Sequence, residues 1–266
     1  MRFKGVLALA KDWRRSVWRL RRWAARSLVP RRTVYSRGLS FTLQCDNWIT
    51  HYRWQSYNGK EPETLNWIDT WGQRDNTFFD IGANIGIYTV YAALRHPGAR
   101  IVAFEPEYAN LHFLRDNIVE NGLQDRVEVY SIALSNHVGL SYLHIQDFTP
   151  GAALHTESTE FLRVTRADQP VIWREGIYTV TLDQFCEATG LQPNYIKIDV
   201  DGTEPEVLEG AIAMLSSTSL RSLLLELPNE EHAREACERL LGFARLRRQW
   251  RDPLGVSPNE IWVRDL

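Results

Sequence analysis

The hydrophobic pattern along this chain changes period twice. From residue 4 to about 28, Val6, Leu9, Trp13, Val17, Leu20, Ala24 and Leu28 recur at steps of three and four, which keeps them on one stripe of a helix. Arginines fill the positions between, and Pro30 closes the segment. Residues 34–75 lose that period and concentrate aromatics instead: Tyr35, Phe41, Trp48, Tyr52, Trp54, Tyr57, Trp67 and Trp71. Within them, 64–71 reads as helical, and the segment is expected to pack on the body or to cap a site.

From residue 76, short apolar runs alternate with helical stretches. Strands are predicted at 76–80, 100–104 and 127–131, and helices at 88–94 and 109–121. Pro97-Gly98 and Asn121-Gly122 supply the stop signals. Residues 134–180 break the rhythm: 140–145 alternates as a strand, 147–169 is loop-rich, and 177–180 reads as a return strand. An inserted antiparallel element is predicted there, in a position where α/β enzymes carry substrate-specific loops.

The wound pattern then resumes with a helix at 182–189, a strand at 195–200, a helix at 204–215, a strand at 220–225 and a helix at 231–241. Final strands are predicted at 242–249 and 260–264. Alternating strands and helices imply a mostly parallel sheet covered on both faces. The expected organisation is an arm over 1–33, an aromatic segment over 34–75, and an α/β domain over 76–266 with an insertion at about 134–180.

Length agrees, since 266 residues suit one α/β domain with extensions, or at most two small domains. A hydrophobic fraction of 44% is enough for a full core. Cys45, Cys186 and Cys237 lie far apart, with neither metal spacing nor even pairing, which favours a reducing compartment.

Charge changes the picture more. Residues 1–37 hold twelve Lys/Arg against the single acid Asp12, and the rest of the chain holds 19 basic and 32 acidic side chains. A basic helix carrying tryptophans points to a membrane surface or an acidic partner, or to docking on the chain's own acidic body through arginine stems. The apolar run 6–10 is far too short to span a bilayer or to form a signal-peptide core. The expected location is cytoplasmic, with peripheral contact at a membrane surface through 1–37 as a further reading. No nucleic-acid partner is expected, and the oligomeric state is left open.

Candidate chemistry begins at Asp80. A strand ends there, Gly82 and Gly86 follow, and a helix starts just after, so its free N–H groups face any ligand. Glycine permits a tight turn and close ligand approach. The spacing is G-x-x-x-G, not the G-x-G-x-x-G that cradles pyrophosphate. Glu105 ends the next strand, 19 residues after Gly86, where an acid can accept from two ribose hydroxyls. Together these favour S-adenosylmethionine (SAM), which carries no phosphate, over a dinucleotide.

A second cluster lies at Lys197, Asp199, Asp201 and Glu204. Buried strands rarely carry such residues for packing, because unpaired burial of charge is costly. A Lys197–Asp199 ion pair that orders the turn is the structural alternative.

The segments 78–89 (FFDIGANIGIYT), 103–106 (AFEP), 133–136 (ALSN), 181–185 (TLDQF), 195–204 (YIKIDVDGTE) and 207–211 (VLEGA) follow one another in an order that resembles the FkbM-type family of SAM-dependent methyltransferases. The likeness covers roughly 76–230, with Asp201 standing where the family more often has Glu. It implies a class I methyltransferase (Rossmann-like) fold: a seven-stranded, mostly parallel sheet whose last strand runs antiparallel. It also implies SAM as cofactor and O-methylation of a small molecule or glycan. By position Asp80, Gly82, Ala83, Asn84 and Gly86 would line the methionine end. Glu105, followed by Pro106, would hold the ribose, and Ala133 would sit near the adenine.

Methyl transfer to a hydroxyl benefits from alignment and a general base. The candidates are Asp199, Lys197 if its pKa is depressed, and Glu204. His144 and His155 in the insertion are outsiders. Asp199, Glu226 and Asn229 offer hard oxygen ligands for Mg²⁺, a less favoured reading. An NAD-dependent oxidoreductase and a non-catalytic membrane-attached binding module stand as the competing classes.

Overall fold

The computed structural model describes residues 13, 15–21, 24, 28–72, 76–153, 155–157, 170–228 and 230–264. Of the expected arm, residues 13, 15–21 and 24 are helical, and the rest of that helix lies outside the described residues. So do residues 154 and 158–169 of the expected loop, and the candidate Asn229.

The chain next forms a hairpin that the pattern did not predict, β1 (Arg31–Ser36) with β2 (Leu39–Gln44). Its turn places Arg37 and Gly38 at φ 50 and 81, and a two-residue loop with both φ positive matches the twist of paired strands. Arginines in β1 hide the alternation from sequence, although Val34, Phe41 and Leu43 point inward and are buried. Helix α1 (Trp48–Lys60) was also missed, because only Thr50 and Tyr57 are buried along its 13 residues. Asn47 starts it with a capping box that includes Thr50, satisfying backbone N–H groups that would otherwise lack partners. Helix α2 (Pro62–Asp69) follows, with Pro at its start.

The wound domain runs β3 (Thr77–Ile81), α3 (Ile87–Arg95), β4 (Arg100–Phe104), α4 (Tyr108–Glu120) and β5 (Val127–Tyr130). A three-stranded insertion comes next: β6 (Ala133–Leu134), β7 (Gly139–Ile145) and β8 (Trp173–Val180), with β7 and β8 antiparallel. Then come α5 (Leu182–Thr189), β9 (Tyr195–Ile198), α6 (Glu204–Glu209), α7 (Ile212–Ser216), β10 (Ser222–Glu226), α8 (Glu231–Phe243), β11 (Leu246–Arg251) and β12 (Asn259–Arg264).

The helix predicted at 204–215 is therefore two helices. At the break, a side chain on Gly210 would meet the Ser135 carbonyl oxygen at 2.1 Å, so the chain is pinned against the start of the insertion.

The main sheet has seven strands in the order β11-β12-β10-β9-β3-β4-β5. Strands β5, β4, β3, β9 and β10 run parallel, and the last strand, β12, runs antiparallel to β10. This is the class I methyltransferase architecture that the resemblance implied. Strand alternation sends Phe78, Ile101, Leu224 and Ile261 to one apolar cluster and Phe79, Val102, Ile196 and Leu223 to the other. Phe41, Tyr57, Leu65, Trp67 and Trp71 belong to the first cluster, so the aromatic segment covers one face of the sheet. Trp71 stacks on Tyr195 at 4.5 Å, and Trp67 Nε1 donates to Ser222 Oγ at 2.9 Å. Each buried aromatic of this size contributes about 2–3 kcal/mol.

Candidate active site

Strand order reverses between β3 and β9, and ligands of such sheets bind at the strand C-termini beside that point. A cavity of about 340 Å³ lies there, a size suited to a small-molecule ligand. Gly82 and Asn84 line it from the loop after β3, Glu105 and Pro106 from the end of β4, and Ala133 from β6. Asp199 and Asp201 line it beyond β9, and Glu226 from the end of β10. Asp80, Ala83, Gly86, Lys197 and Glu204 are not among the lining residues.

The glycines of the first loop form the tight turn expected of them. Gly82 and Gly86 take φ of 78 and 79, where an L side chain is strained. A Cβ on Gly82 would lie 1.8 Å from the Asp199 carbonyl oxygen, and one on Gly86 would lie 2.3 Å from Leu114 Cδ1. The missing side chains thus make room for neighbouring protein atoms, while Gly82 also lines the cavity. Gly82 N and Ala83 N both donate to the Phe104 carbonyl, at 3.1 and 3.0 Å, which fastens this loop to the end of β4.

Glu105 is buried. Its Oε2 accepts from Asn84 N at 2.7 Å and its Oε1 from Glu107 N at 2.9 Å. Burial pushes its pKa up to about 8 against those two backbone bonds. Each carboxylate oxygen has two acceptor sites, so one on each remains for a ligand. That donor-hungry pair fits the two ribose hydroxyls of SAM.

A second network surrounds Lys197, whose side chain is 2% exposed. Its Nζ lies 2.7 Å from Asp199 Oδ2 and 5.6 Å from the centre of the Tyr88 ring. Register places Asp80 directly across from Lys197, and Thr89 Oγ1 donates to Asp80 Oδ2 at 2.5 Å. Asp80 thus sits behind the cavity wall, next to the lining residues Ile81 and Gly82. Burial raises its pKa against the pull of Lys197.

Burial works against the charged form of Lys197, but Asp199, Asp80 and Glu61 outweigh it, and the amine pKa is raised. Lys197 is an ammonium, which removes it as a general base. Burial likewise opposes ionisation of Asp199, but Lys197 and a hydrogen bond from Glu226 hold that carboxyl below the usual range. Glu226 is pushed the other way, first by the Asp199 charge and then by burial. The two carboxyls are thus driven apart, Asp199 toward its ionised form and Glu226 toward its protonated form.

Glu204 accepts from Val200 N at 3.1 Å and from Gly202 N at 3.2 and 3.1 Å. Burial raises its pKa to about 8. It orders the turn and lines a second cavity of about 250 Å³, which meets the first at Asp201 and Glu226. Among the described residues no group of three or more His, Cys, Asp or Glu is arranged to hold a metal.

Sequence reasoning missed four contributors. Arg53 and Lys60 of α1 line the cavity, as do Asn110 of α4 and Glu157 of the insertion. His155 lines it too, whereas His144 does not. Residues 150–152 are clasped by four side chains. Asn47 Nδ2 donates to Pro150 O at 3.1 Å, and Arg53 Nε to Gly151 O at 2.7 Å. Asn110 Oδ1 accepts from Gly151 N at 2.7 Å, and Asn84 Nδ2 donates to Ala152 O at 2.8 Å. An asparagine on the inward face of a predicted helix was the one available signal, at Asn110.

The sheet order and the carboxylate-lined switch-point cavity define a class I methyltransferase fold. Residues 80–233 match the model of the methyltransferase FkbM domain, and the chain belongs to that family. The 31-O-demethyl-FK506 methyltransferase FkbM of Streptomyces tacrolimicus is 38% identical over 156 residues, 50% of this chain and 58% of that protein. Methyltransferase sdnD of Sordaria araneosa is 28% identical over 155 residues, 49% of this chain and 58% of that one. The matched stretch thus spans 58% of the length of each of these relatives. Among solved structures, a SAM-dependent methyltransferase from Agrobacterium tumefaciens aligns with a TM-score of 0.48 at 10% identity, covering 88% of this chain and 70% of that one.

Proposed function

We propose that this chain is a SAM-dependent O-methyltransferase acting on a hydroxyl of a small molecule or glycan. The observation that carries the reading is Asp199 on the cavity wall, its carboxylate 2.7 Å from the buried Lys197 amine. SAM supplies a methyl group on a sulfonium. Glu105 would accept from its ribose hydroxyls, and Ala133 would lie along the adenine. Arg53 and Lys60, which line the cavity from α1, suit the methionine carboxylate.

The acceptor is placed in the adjoining cavity, across Asp201 and Glu226. As its oxygen bonds to the methyl carbon, the carbon–sulfur bond breaks and its electron pair stays on sulfur. The hydroxyl proton passes to Asp199. A carboxylate held this acidic is a weak base, so it serves as a proton sink late in the transfer, when the alcohol has become acidic. The Streptomyces relative, named for a 31-O-demethyl compound, supports an oxygen acceptor.

The test incubates the protein and Asp199→Asn with methyl-labelled SAM and fractionated small-molecule or glycan extracts. Label in acid- and base-stable ethers, lost in the variant, is expected. Label confined to methylated nitrogen would overturn the reading.

A further inference from the structure

The catalytic reading leaves the basic arm unexplained. Residues 13, 15–21 and 24 are helical, with Trp13 67% exposed, Trp18 66% and Leu20 63%, and Leu28, in the turn that follows, is 81% exposed. Trp13, Val17, Leu20 and Ala24 fall on one stripe by helical spacing, while Arg15 and Arg19 lie on the opposite side. The Arg21 guanidinium lies 5.3 Å from the Trp18 ring centre. Exposed large apolar groups at this density mark an interaction surface.

The arm leaves the body at a fixed point. Pro30 O accepts from Cys45 N at 2.8 Å, and Arg31 pairs with Glu120 at 3.0 Å. Residues 1–30, up to that point, hold nine Lys/Arg and one acid, while the remainder of the chain is acidic.

We propose that this arm binds the surface of an anionic lipid bilayer. Arginines meet lipid phosphates, and the tryptophan–leucine stripe enters the boundary between headgroups and chains. A docking role on the chain's own acidic body would bury Trp13 and Leu20, and both are exposed. A nucleic-acid duplex would use the arginines but leave the apolar stripe in water. The acidic body is repelled by the same lipid surface, so the arm is the attachment and the body stands away from it.

The test sediments the full-length protein with vesicles of phosphatidylcholine alone and of phosphatidylcholine mixed with phosphatidylglycerol. Binding to the mixed vesicles only, weakened by added salt, is expected. Replacing Arg15, Arg19 and Arg21 by Gln should lower the partition by about a hundredfold, at roughly a factor of five per charge. Replacing Trp13, Trp18 and Leu20 by Ser should abolish the binding that survives in salt. SAM affinity by calorimetry, unchanged in both variants, shows that the body is intact and separates this test from the methyl-transfer reading. Equal sedimentation of wild type and both variants would overturn the proposal, as would binding to a DNA or RNA duplex without binding to either vesicle.

Discussion

Glu105 is buried and Asp199 half-buried on one cavity, and their environments drive them in opposite directions. Glu105 accepts from two backbone N–H groups, and burial leaves it titrating at about 8. Asp199 has a buried ammonium at 2.7 Å and stays ionised. Backbone donors fix where a carboxylate points, and a charged partner fixes what charge it carries. The first arrangement suits a group that awaits hydroxyl donors, and the second suits one that must be an anion whether or not a ligand is present.

The harshest way to break that contrast is Lys197→Met. It strands Asp80 and Asp199 without their cation, and a loss of about 3–5 kcal/mol in denaturant unfolding is expected. The loss should be largest at neutral pH and above, and should shrink as acid protonates the stranded carboxyls.

Asp199→Asn comes next. Turnover should fall about 10²- to 10⁴-fold while the SAM affinity found by calorimetry stays within about twofold, because Lys197 keeps Asp80 and Glu61 beside it.

Glu105→Gln should weaken adenosine binding by about tenfold or more, the worth of a charged hydrogen bond. It should also remove a pH dependence. In the wild type, raising pH through about 8 deprotonates Glu105 and frees its acceptor sites, so adenosine affinity should rise from pH 7 to 9. A flat wild-type profile would show that Glu105 does not meet the ribose.

Lys60→Gln is the mildest. Its side chain is 41% exposed, so SAM affinity should drop only about two- to fivefold, with no change for methylthioadenosine, which lacks the carboxylate.

Much of this contrast was readable before any coordinates. Strand ends at Asp80, Glu105 and Asp199 follow from short apolar runs and their stop signals, and the wound order follows from alternation. What could not be read was register. The sequence sets Lys197 two residues from Asp199, but only the β3–β9 pairing brings Asp80 opposite Lys197, and that contact helps decide the protonation state of the lysine. The glycines show the same limit. Their tight turn was legible, and Gly82 and Gly86 do take positive φ, but the atoms that exclude a Cβ there belong to Asp199 and Leu114, which are remote in sequence. Helix α1 escaped notice because it buries so little, and with it went Arg53 and Lys60.

The four-way clasp on residues 150–152 has a consequence for the shape of the cavity. Asn47, Arg53, Asn84 and Asn110 hold the backbone of this short stretch, and Arg53, Asn84 and Asn110 line the cavity themselves, as do Ala152, Ala153, His155 and Glu157 on and just beyond the clasped stretch. One wall is thus moored to its neighbours by hydrogen bonds, as a rib is held to a frame, and the width of the opening between them is set by those bonds as well as by packing.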